Sequence, residues 1–103
     1  MSGKSAMESA GAANEQVVDN PARNRFELVV GGQVAFADYR RKPGLLTITH
    51  VETPLDLQGG GVAARVMKGV LEYAGDNGLK VAPLCPYAEV YIRRHPEYRD
   101  LVG

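Results

Sequence analysis

The sequence predicts an α+β fold of two layers, a mixed but mainly antiparallel sheet carrying helices, in the order β-β-β-α-β-α. Three observations carry that prediction. Glycine and Pro-Gly turns cut residues 25–53 into three short runs of β-branched and apolar residues. An amphipathic stretch of helical period follows them. A further apolar run comes after that helix, and a helical crossover of this kind makes successive strands parallel neighbours.

The elements read as follows. Arg25 to Val30 is a β run ending at Gly31-Gly32, a two-glycine link that signals a tight hairpin. Gln33 to Arg41 is the second strand, with Val34, Phe36 and Asp38 alternating against Ala35, Ala37 and Tyr39. Lys42-Pro43-Gly44 turns the chain. Leu45 to Thr53 is β-branched and apolar, as a central strand should be, and Pro54 ends it. Val62, Ala63, Val66, Met67, Val70, Leu71 and Ala74 then share one helical face, and Gly78 stops that helix. Leu79 to Leu84 is the fourth strand. Tyr87 to Arg94 is a second helix, closed by His95-Pro96, and Pro96 to Leu101 allows one more helical turn. Residues 1–24 have no aromatic side chain and one apolar pair, Val17-Val18. They read as a flexible tail, with a marginal helix over Ala12 to Val18, before a domain at 25–103.

Composition narrows the function classes. The 103 residues suit one domain, and 45% hydrophobic with 23% charged residues is the balance of a soluble globular protein. Twelve basic and twelve acidic residues leave no net charge, which argues against nucleic-acid binding through bulk charge. One cysteine excludes an internal disulfide, and two distant histidines give no recognisable metal-ligand spacing, so no metal is expected. No apolar run approaches the roughly 20 residues of a membrane span. The first residues lack the apolar core of a secretory signal, so a cytoplasmic protein is expected. A monomer or a weak dimer is expected, the dimer through an exposed flank of the small sheet.

The strongest chemical feature is Gln58-Gly59-Gly60-Gly61-Val62-Ala63, between a strand and the amphipathic helix. Glycines let the backbone come close to a ligand. A helix start offers unpaired N–H groups and the positive end of the dipole. Together they suit a phosphate or diphosphate. The loop is neither GxGxxG nor a P-loop. On local sequence alone, a glycine loop without a ligand is an equally good reading.

The six residues fit Gln/Arg-x-x-Gly-x-Gly/Ala, and the loop resembles the acetyl-CoA pyrophosphate motif of the GNAT acetyltransferases. Cys85 to Val102, CPYAEVYIRRHPEYRDLV, resembles the C-terminal signature of a small subgroup, the YjdJ-like or minimal GNAT-like N-acetyltransferases. The resemblance spans Arg25 to Val102 and departs from a full GNAT domain in one respect. Gly31-Gly32 replaces the helices that link the first two strands and cover the acceptor, which leaves that side open.

The resemblance implies an acetyl-CoA-dependent N-acetyltransferase acting on an amine, carried by a small molecule or a protein. It implies that the amides of Gly59, Gly60, Gly61, Val62 and Ala63 bind the diphosphate, with Gln58 closing the loop. The strand near Thr49 to Thr53, including Val51, would run beside the pantetheine arm. It would splay from the strand ending at Cys85, leaving a V-shaped cleft. Tyr87 and Tyr91 would flank the arm, and Arg93 or Arg94 would reach the adenosine phosphates. Cys85, at the end of the fourth strand, reads either as a small buried hydrophobe or as a catalytic thiol. As a catalytic thiol it would protonate the leaving thiolate or carry the acetyl group itself. His50 reads as a general base or as a satisfied strand histidine, and Glu52 shares its face through the period of two. His95 reads as a helix cap. The rival function is a CoA-binding or protein-interaction module without catalysis.

Overall fold

The computed structural model describes residues 16–103. Five strands form one sheet in the order β1-β2-β3-β4-β5. They are β1 (Val18–Asn20), β2 (Arg25–Val30), β3 (Gln33–Lys42), β4 (Leu45–Glu52) and β5 (Lys80–Pro83). The first four pair antiparallel, and β5 runs parallel to β4. Helix α1 (Val62–Asp76) is the crossover between β4 and β5, and α2 (Pro86–Arg94) follows β5. A 3-10 segment, Pro96–Leu101, leads to Val102, which bridges Val81 and covers the outer edge of β5. The predicted class and the order of the six main elements hold.

One correction concerns the start of the chain. The last part of the expected tail is structured: Val18–Asn20 pairs with β2, and Pro21–Arg23 is a 3-10 turn. Most of the expected helix over Ala12 to Val18 lies outside the described residues, and Val18 itself is in a strand. Three residues with one apolar side chain carry no periodic signal, so only tertiary contacts reveal this strand. Tyr39 Oη donates to Asp19 Oδ1 at 2.6 Å. Val17 lies on Gly69 of α1 so closely that a Cβ there would sit 2.5 Å from its side chain.

Alternation along the strands makes the core. Phe26 and Leu28 of β2, Ala35, Ala37 and Tyr39 of β3, Leu46 and Ile48 of β4, and Val81 of β5 are buried on one face. Across that face lies the apolar stripe of α1, with Val66, Met67, Val70, Leu71 and Ala74 fully buried. The small side chains of Ala35 and Ala37, fully buried on this face, leave room for the larger residues of α1. Ala88, Tyr91 and Ile92 of α2 join the same cluster. Burying each large aliphatic side chain contributes about 1.5–3 kcal/mol, so this one cluster dominates stability.

The opposite face of the sheet carries Arg25, Glu27, Phe36, Asp38, His50 and Glu52, with no helix over it among the described residues. Arg25 pairs with Glu27 at 2.6 Å, and its guanidinium lies 4.5 Å above the Phe36 ring. That contact holds the Glu27 carboxyl below its usual range.

Candidate active site

Two irregularities in β4 open the site. The register with β3 shifts between Asp38 and Tyr39, whose partners are His50 and Ile48, so Thr49 has no cross-strand partner. On the other side, pairing with β5 ends at Ile48–Pro83. The amides of Leu84 and Cys85 both donate to Ile48 O, at 3.0 and 3.1 Å. Beyond that carbonyl the chain of β5 turns into α2, and among the described residues Thr49 to Glu52 pair with no strand on that side. The proline in β5 helps, because Pro83 has no N–H to extend the ladder.

Past β4 the chain makes a 3-10 turn, Leu55–Leu57, and reaches the glycines. Gln58 Nε2 donates to Thr53 O at 3.1 Å and ties the loop to the end of the strand. Gly59 and Gly61 have φ of +87° and +77°, a region that side chains with a Cβ rarely adopt. A Cβ on either would project into open space. Gly60 differs: its φ is ordinary, its amide donates to Leu57 O at 3.4 Å, and a Cβ would meet Leu57 O at 3.6 Å. Gly61 is the N-cap of α1 and offers no side chain to cap it. The first amide of the helix with an internal partner is Arg65, on Gly61 O at 3.1 Å. The amides of Val62, Ala63 and Ala64 are therefore left for a ligand or solvent.

These groups border an open cavity of about 230 Å³, lined by Thr53, Leu57, Gln58, Gly59, Gly61, Val62, Ala63, Ala64 and Tyr87. Tyr87 stands in the first turn of α2, and burial pushes its phenol pKa up, so it stays protonated at neutral pH. The Thr53 hydroxyl is buried without a hydrogen-bond partner. Of the residues expected to hold a cofactor, the cavity gathers Gln58, Gly59, Gly61, Val62, Ala63 and Tyr87. It adds Thr53, Leu57 and Ala64, which the motif does not single out, although Ala64 is legible as the third amide of any helix start.

Four expected residues lie elsewhere. Gly60 turns its amide inward. Val51 pairs with Ala37 and packs partly buried against the core. Tyr91 is buried, with its ring stacked 4.0 Å from His95 and 6.4 Å from Tyr98, a packing position. Arg94 is exposed in the last turn of α2, seven residues and roughly 10 Å of helix beyond Tyr87. Its neighbour Arg93 pairs with Glu89 at 3.4 Å. His95 caps α2, with Nδ1 2.8 Å from Tyr91 O.

The two expected catalytic residues are placed differently from each other. His50 is exposed on the open face, with Nε2 3.0 Å from Glu52 Oε1. Cys85 is the N-cap of α2 and is 7% exposed, with its thiol among core side chains. Among the described residues no hydrogen bond joins the two, and no three His, Cys, Asp or Glu side chains gather as metal ligands would. No helix there is long and apolar enough to cross a membrane.

Comparison with known proteins agrees with this geometry. In solved structures, the fold is similar to that of a Staphylococcus aureus protein determined by NMR and described as GCN5-like. The TM-score is 0.63 with 24% identity over 88% of this chain and 90% of that one. No curated protein matches. The sequence profile of the GCN5-related N-acetyltransferases matches residues 25–101, from the first residue of β2 to the last of the C-terminal 3-10 segment. The chain belongs to the GCN5-related N-acetyltransferase family.

Proposed function

We propose that the protein is a minimal, YjdJ-like, cytoplasmic N-acetyltransferase that takes its acetyl group from acetyl-CoA and gives it to an amine. The observation that carries this reading is the cavity at the start of α1. Two positive-φ glycines and an uncapped helix start converge there, beside a strand whose edge is free. The donor set suits a diphosphate: main-chain N–H groups at a helix start, with open space where side chains would stand. The free edge of β4 over Thr49 to Glu52 offers backbone donors and acceptors to the amides of a pantetheine arm. The acceptor is an amine reaching the open sheet face, a face broad enough for an amine on a protein surface.

In the transfer, the amine nitrogen bonds the thioester carbonyl carbon as the C–S bond breaks. One proton leaves the amine and one reaches the departing thiolate. His50, whose Nε2 lies 3.0 Å from Glu52 Oε1, is the candidate to accept the first. Cys85 is the candidate for the second, or for a first acceptor that forms acetyl-Cys85 and passes the acetyl group on. The burial of Cys85, and its lack of a bond to His50, favours a second reading, a CoA-binding module without efficient catalysis.

An amide-shift titration with CoA tests the binding half. Shifts clustered at Thr49 to Thr53, Gly59 to Ala64 and Tyr87 are expected, and no response there would sink the assignment. Mass spectrometry after mixing with acetyl-CoA tests the chemistry. An added acetyl group that disappears in Cys85→Ala marks the covalent route. Acetylation of an added amine that survives Cys85→Ala marks direct transfer. CoA binding with neither product marks the module.

A further inference from the structure

We infer that the Thr53 hydroxyl is a ligand-binding group of this site, donating to a diphosphate oxygen of the bound cofactor; the inference rests on the cofactor reading above. Thr53 follows the last residue of β4 and lines the same cavity as Gly59, Gly61 and the first residues of α1. Its carbonyl is bound by the Gln58 amide, so its backbone is pinned to the glycine loop. Its Oγ1 is the one buried side-chain N or O atom without a partner among the described residues. Buried hydroxyls are nearly always hydrogen-bonded, and leaving one orphaned costs free energy that a valine at this β-branched position would avoid. Rotation about Cα–Cβ by one staggered step moves the hydroxyl to the position that the methyl or the Cβ hydrogen held. Such a step lets the hydroxyl, buried and unpartnered without a ligand, reach an acceptor in the cavity that Thr53 lines. The cavity's other donors are main-chain N–H groups and the Tyr87 hydroxyl, so the acceptor that suits them all is an anionic oxygen.

Binding and stability should therefore move in opposite directions. Calorimetric or amide-shift titrations of the full chain, Thr53→Val and Thr53→Ser use CoA, ADP and pantetheine as probes, and melting without ligand is measured alongside. Thr53→Val is expected to weaken CoA and ADP alike by about ten-fold, the scale of one hydrogen bond to a charged group. Pantetheine binding should not change, Thr53→Ser should stay within about two-fold of the parent for CoA, and the ligand-free Thr53→Val protein should melt no lower than the parent. Equal CoA affinity in the parent and Thr53→Val overturns the inference while leaving the cofactor reading intact. A loss seen with pantetheine and not with ADP overturns it in favour of the pantetheine arm. A ligand-free melting point that falls in Thr53→Val overturns it in favour of a structural role. No CoA binding by the parent removes the cofactor reading, and this inference with it.

Discussion

Replacing Gly61 with alanine isolates the backbone geometry on which the site depends. Gly61 sits at φ +77° and ψ 12° as the N-cap of α1, and a Cβ there would touch nothing. The cost is therefore conformational and not a clash. An L-residue in this region is disfavoured by about 1–2 kcal/mol. For a domain of this size, that lowers the melting midpoint by roughly 4–16 °C. Gly60→Ala is the internal control. Its φ is ordinary and its Cβ contact with Leu57 O is 3.6 Å, so the loss of unfolded-state freedom should leave stability equal or raise it by about 0.4–1 kcal/mol. Gly59 should behave like Gly61, because its φ is +87°. Thermal unfolding followed by circular dichroism measures all three. Gly61→Val, which fills the open side of the loop, should also weaken CoA at least about ten-fold, or 1.4 kcal/mol. If Gly61→Ala melts with the parent while Gly60→Ala melts lower, the loop conformation argued here is wrong. If Gly61→Val is folded and binds CoA normally, the loop is not the cofactor site.

Gly69→Ala should destabilise by about 1–3 kcal/mol through overpacking against Val17, although alanine is the better helix former. Adding Val17→Gly, which removes the Cβ at 2.5 Å as well as the methyls, should recover more of that loss than Val17→Ala, which keeps that Cβ, and denaturant titration of the double variants measures the coupling. Tyr39→Phe removes the donor to Asp19 and should cost about 1.5–3 kcal/mol, with amide exchange quickening over Val18–Asn20 first. Unchanged exchange there would mean that β1 is held by other contacts. The Arg25 guanidinium depresses the Glu27 carboxyl pKa, so this pair adds stability above the usual glutamate range. That contribution disappears as pH falls through the folded-state value. The stability gap between the parent and Glu27→Gln should thus be present at neutral pH and shrink in acid, and a gap that widens in acid would contradict the pairing.

The sequence by itself determined the elements whose signal is local. The period of two in β2 to β4, the 3.6-residue stripe of α1, and the Gly31-Gly32 and Pro43-Gly44 turns each follow from side-chain pattern and backbone sterics. The parallel placement of β5 followed from the crossover helix. Tertiary structure alone decided what depends on distant partners. β1 exists because Asp19 meets Tyr39 and Val17 meets Gly69, contacts that span 20 and more residues. Three consecutive glycines look alike in one dimension, yet only Gly59 and Gly61 line the cavity while Gly60 is spent on the turn. Periodicity placed Tyr91 and Arg94 on the right helix but could not say which turn faces the loop; packing against His95 and Tyr98 decided that for Tyr91. The family resemblance implies that β4 parts from β5 near Thr49, but no local pattern marks the place, because it is set by Leu84 and Cys85 converging on one carbonyl, Ile48 O. Local pattern reports propensity and face, whereas the opening of a cleft depends on which backbone groups find partners across the whole fold.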